Sequence, residues 1–157
     1  MMNKVGGIPM FKKKIFLSCL AFVIILIGIF IVAYINGRKD VPKLSVTYNG
    51  TKIEVGQGPY SWNSRGKLKE FAVDSYGSVI SILLPGAKVE PNGQLQLNFD
   101  YQPETITLDG GVKVSDYGKV LKGNIINLSE YGTGLYFLDC KWQEGTVTFI
   151  VFVDIQK

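Results

Sequence analysis

Between Ile15 and Asn36 the chain reads "IFLSCLAFVIILIGIFIVAYIN", a run without a single charge. A helix of about 20 apolar residues crosses the roughly 30 Å hydrocarbon core of a bilayer. The run therefore predicts one transmembrane helix over 15–36, a signal anchor with the lipid bilayer as its partner. Lys12, Lys13 and Lys14 precede it, whereas Arg38 and Lys39, partly offset by Asp40, follow it. Positive charge stays on the cytoplasmic side. Residues 1–14 are then expected as a short cytoplasmic basic segment, 37–42 as a linker and 43–157 as an extracytoplasmic domain, in a single-pass protein of the cell membrane. Met10 opens "MFKKK" and is an alternative start. Cleavage is disfavoured, because a secretory signal has an apolar region of only about 7–15 residues followed by small ones, and this run is longer and ends in "AYING". Cys19 has its short apolar stretch before it and its long one after it, the wrong order for a lipoprotein leader. It reads as a small apolar residue within the helix.

The net charge of +4 over 157 residues invites a nucleic-acid reading. Its distribution removes that reading. Every acidic residue lies at or after Asp40, and from there to Lys157 eleven basic residues face thirteen acidic ones, a net of −2. A mildly acidic domain has no field that gathers phosphate polyanions. The chain has no histidine, which eliminates the commonest general base, the Ser-His and Cys-His arrangements and the usual zinc sets. Cys140 has no second cysteine outside the apolar run, so the domain's stability must come from its core. Asp100, Glu104, Asp109 and Asp116 read as loop and solvent-face carboxylates, and "DGGVKVSDYGK" as a turn without the strand-to-helix context of a phosphate loop. No catalytic, metal-binding or cofactor-binding residue is expected.

From residue 43 onward the pattern is that of strands. In "KLSVTYNGTKIEV" the Asn49-Gly50 pair marks a type I′ hairpin, which needs positive φ at both positions. Pairing across it sets Tyr48 opposite Thr51, Val46 opposite Ile53 and Leu44 opposite Val55, leaving one apolar face. Asn49-Gly50-Thr51 and Asn127-Leu128-Ser129 also match glycosylation acceptors, but the first is better explained as the turn. "QLQLNFDY" alternates as a half-buried antiparallel strand does. "GLYFLDCKWQEGTVTFIVFVDI" reads as a hairpin closing at Glu144-Gly145, with Trp142 facing Val147, Cys140 facing Phe149, Leu138 facing Val151 and Tyr136 facing Val153. A slip of one residue would mix the faces. Weaker strands are expected near 70–74, 79–84, 104–108 and 119–128. Seven to nine short antiparallel strands with regularly spaced turns predict an all-β domain, an immunoglobulin-like β-sandwich.

The order "VTYNGTKIEVGQGPYSW", then "LLPGAKVEPNGQLQLNF" with Pro103 soon after, then "GLYFLDCKWQEGTVTFIVFV" resembles an uncharacterised family of small membrane-anchored or secreted all-β proteins of bacilli and their relatives. The shared features are a G-x-Y-x-W segment, a central Pro-Gly before an alternating strand and a closing G-x-Y…W-x-x-G hairpin. The resemblance covers most of residues 43–155. It implies export and an all-β fold, and brings no activity with it. Members often have a cysteine between the Tyr and the Trp and another later, where this chain has Ser61 and none before Cys140.

The segment "GPYSWNSRGK" supplies the candidate binding surface: Tyr60, Trp62, Arg65, Lys67 and Lys69. Burial in the core is the competing reading for Tyr60, Trp62, Trp142 and Cys140. Arg65, Lys67 and Lys69 read either as the charged guard of an edge strand or as a cationic strip for lipid headgroups or anionic wall polymers. The expected function is that of a non-catalytic binding or structural module for another envelope component, a protein or a wall polymer. The alternative is a regulatory module, an inhibitor or sensor acting on an exported protease or membrane partner.

Overall fold

The computed structural model describes residues 20–32, 40–110 and 118–156. Two compact units divide the chain, one up to Arg38 and one from Lys39 onward. In the first, residues 20–32 form helix α1, whose side chains are apolar and exposed. Among the described residues no helix is long and apolar enough to cross a membrane. The expected span of 15–36 extends past α1 at both ends, and its outer parts, with Cys19, the basic segment 1–14, linker residues 37–39 and Asp116, lie outside the described residues.

The described residues of the second unit form eleven strands in two sheets, almost entirely antiparallel. The smaller sheet runs β2 (Thr51–Ile53), β1 (Leu44–Tyr48), β6 (Gln94–Phe99), β9 (Ile125–Asn127). The larger runs β4 (Lys67–Phe71), β3 (Gly56–Ser64), β11 (Gly145–Ile155), β10 (Gly134–Lys141), β7 (Thr105–Gly110), β8 (Lys119–Val120). A further short strand, β5 (Ala87–Val89), pairs in parallel with the end of β11. Alternating residues of both sheets meet in one core: Val46, Leu95, Leu97 and Ile126 from the smaller sheet, Trp62, Leu108, Tyr136, Leu138 and Val151 from the larger. Val41, in the stretch expected as linker, already packs against it.

The first hairpin forms as its sequence dictates. Asn49 and Gly50 have φ of 49° and 78°, and the pairs Tyr48–Thr51, Thr47–Lys52 and Val46–Ile53 follow. β2 stops there, so Leu44 makes no pair with Val55; on the other side of β1 it pairs with Phe99 of β6.

The final hairpin is displaced by two residues from the expected register. Cys140 pairs with Val147, Leu138 with Phe149, Tyr136 with Val151 and Gly134 with Val153. Trp142 and Gly145 exchange backbone hydrogen bonds of 2.8 and 3.3 Å, leaving Gln143 and Glu144 as the loop. Gly145 belongs in the strand because it lies beside Trp62 of β3, where an added Cβ would stand 2.0 Å from the Ser61 carbonyl oxygen. A two-residue displacement keeps every side chain on its face, so the apolar stripe is unchanged.

Two further expectations need correction. The strand foreseen at 79–84 is helix α2 (Tyr76–Leu83). Ser75 caps it, its Oγ accepting the Gly77 N–H at 3.0 Å, and Val79 and Leu83 rest on the outer face of the larger sheet at Gly56. Tyr76 meets Phe137 edge-on at 5.5 Å on that same face. The strand foreseen at 119–128 is divided. β8 closes the larger sheet, Gly123 turns the chain with φ of 102°, β9 joins the smaller sheet, and α3 (Leu128–Tyr131) follows.

Candidate functional site

Strand β3 is nine residues long and joins β11 on one side and β4 on the other. Its turn into β4 is made by Arg65 and Gly66, with φ of 55° and 71°, between the paired residues Ser64 and Lys67. Among the described residues β4 has no strand beyond it and is the edge of the larger sheet. All five of its residues are exposed.

The candidate residues separate along this hairpin. Trp62 is fully buried and meets Trp142 edge-on at 5.6 Å, so it belongs to the core and is removed from the binding surface. Trp142 in turn donates its Nε1–H to the Tyr101 carbonyl at 2.9 Å, satisfying the indole. Tyr60 is half-buried and stacks on Phe71 at 5.7 Å. Arg65, Lys67 and Lys69 are exposed, and the Lys69 ammonium lies 3.6 Å from the Asp40 carboxylate. The hairpin therefore brings Tyr60 and the three cations onto one accessible strip.

Two exposed apolar residues of β4 were missed from the sequence: Phe71, 47% exposed, within that strip, and Leu68, 62% exposed, on the other face of the same strand. The available signal was the interleaving of apolar and basic residues in "KLKEF", which no buried strand shows. Cross-strand partners share a face, so Lys67, Lys69 and Phe71 lie on the side of Ser64, Trp62 and Tyr60, with Leu68 and Glu70 on the other. Glu70 accepts a hydrogen bond from Ser61 at 3.3 Å.

Elsewhere several polar groups make structural contacts. Asp100 accepts the Lys43 N–H at 2.9 Å, Asp109 accepts the Gly118 N–H, and Asp139 accepts the Thr148 hydroxyl at 2.6 Å. Lys119 and Glu130 pair at 2.7 Å, with the ammonium 5.0 Å from the Tyr131 ring centroid. That hydrogen bond holds the Glu130 carboxyl below its usual range and raises the lysine. Cys140 is buried in the core, which pushes its thiol up to about 12. Among the described residues no cluster of acidic or cysteine side chains could hold a metal ion. A groove of about 310 Å³ opens between β2 and β5, floored by Ile53, Leu83, Ala87, Val89 and Phe152.

Comparison with family models, with curated proteins and with solved structures finds no match for this chain. The resemblance to exported proteins of bacilli rests on the quoted segments alone.

Proposed function

We propose that the chain is a single-pass protein of the cell envelope, anchored through residues 15–36 with its N-terminus in the cytoplasm, whose external β-sandwich is a non-catalytic binding module for another envelope component. The observation that carries this reading is the β3–β4 hairpin, an exposed strip of cations and apolar side chains at the free edge of an otherwise acidic, well-packed domain. The anchor is supported by the uncharged run and by the helical, apolar and exposed residues 20–32.

The immunoglobulin-like type belongs to the same proposal. In that fold one sheet carries strands A, B and E, and the other G, F, C and C′. The neighbours β1-β6-β9 and β11-β10-β7-β8 follow that order in both sheets. Tyr136, near the start of β10, donates its hydroxyl to the Gly132 carbonyl four residues upstream, as the tyrosine corner of such domains does. The segment from β2 to β5 is then an insertion between the first two strands, and it supplies the candidate strip.

Protease added to intact protoplasts tests the topology: the expected product is a small membrane-held fragment, and a soluble protein beginning after Gly37 would overturn the anchor. A photo-crosslinker placed at Lys67 should capture an envelope component that one at Lys122 does not. Equal capture from both positions would refute the hairpin as the binding surface.

A further inference from the structure

We propose that the β3–β4 hairpin docks on the anionic lipid surface of the membrane that holds the chain, its cations meeting headgroups and Leu68 and Phe71 entering the interface. This deepens the reading above and rests on its anchor. Three observations converge on it.

The first is charge. Residues 56–71 carry three basic side chains and one acidic, whereas the rest of residues 40–157 sums to −4. A basic hairpin on an acidic body turns towards an anionic surface, and each Lys or Arg close to such a surface strengthens association about fivefold. The second is the exposed apolar pair. Phe71 shares a face with Lys67 and Lys69 and Leu68 lies on the other, and all are accessible along the strand, so an edge-on approach of the hairpin reaches both apolar side chains. A wall polymer offers them no apolar phase, whereas the interfacial region of a bilayer accepts apolar and cationic side chains together. The third is reach. Lys69 contacts Asp40, and Asp40 lies four residues beyond Asn36, the end of the apolar run. Four extended residues span at most about 14 Å. The chain between the apolar run and the residue that pairs with Lys69 is thus short.

The test uses the full chain with Cys19→Ser, so that an environment-sensitive dye attached at Leu68→Cys is the only reactive label beside the buried Cys140. Glu70→Cys gives a second label position on the same strand. The protein is reconstituted into phosphatidylcholine vesicles with or without phosphatidylglycerol, and both flotation and dye emission are read. The expected result is flotation with both lipids, with a blue shift only where phosphatidylglycerol is present. High salt should reverse that shift, and Arg65→Gln, Lys67→Gln and Lys69→Gln together should remove it, the association weakening by roughly 100-fold. Flotation with emission unchanged in either lipid would overturn the docking while leaving the anchor intact. Absence of flotation would overturn both. A shift of equal size in both lipids would refute recognition of anionic headgroups, and a shift that follows protein concentration without lipid would replace docking by edge-to-edge pairing of two copies.

Discussion

At the scale of single residues, the aromatic positions divide by burial. Trp62 and Trp142 fill the space between the sheets, so Trp62→Ala and Trp142→Ala should each cost about 3–5 kcal/mol in denaturant unfolding. Arg65→Gln with Lys67→Gln should stay within about 0.5 kcal/mol, as ordinary surface positions do. A large loss from the charge pair and none from Trp62 would reverse the assignment of core and surface. Cys140 makes a prediction in pH. Its folded thiol, raised by burial and then by the charge of Asp139, ionises near 12 against an ordinary 9.0. Between those values the unfolded chain has lost a proton that the folded one keeps, so stability falls as pH rises, by up to about 1.4 kcal/mol per unit. Below pH 9 this group contributes no slope. Cys140→Ala should therefore show a shallower alkaline loss than the unaltered chain, and identical slopes would show the thiol to be accessible.

At the scale of elements, the readable parts of the sequence were those in which a local signal and the tertiary fold agree. Asn49-Gly50 fixes its turn through backbone conformation alone, and "QLQLNF" alternates because β6 is buried on one face. The register of β10 with β11 was not readable, since a shift of two residues preserves every face. What decides it is the contact of Gly145 with β3, a partner more than eighty residues away. Gly145→Ala should accordingly open that junction and destabilise the domain, while Gln143→Ala in the loop should be nearly silent; equal effects would count against the observed loop. Helix α2 was hidden by its β-branched residues, and its continuous apolar pattern suits a strand as well as a short helix. Ser75 was the one local hint. Ser75→Ala should cost about 1 kcal/mol through loss of the cap, and a neutral result would show that packing on Gly56 holds the helix unaided. Of the candidate strip, the cations were legible as an edge guard, whereas the exposure of Leu68 and Phe71 depends on β4 being the last strand of its sheet, which no local pattern records.

At the scale of the whole domain, stability should be graded from centre to edge. Amide exchange should be slowest in β10 and β11 and fastest in β4 and β8, the outer strands of the larger sheet. Protection of β4 equal to that of β11 in the lipid-free chain would mean that its edge is covered. Strand β11 carries a further consequence. It touches β10 along its length, β3 at one end and β5 at the other, and it follows all three in the chain. Made after the strands it joins, it is the wedge between parts made earlier, and until it arrives β3 and β10 each present a bare edge to neighbouring chains. The two halves of the larger sheet are thus joined in a single step, and the folding domain is at its most vulnerable just before β11 appears.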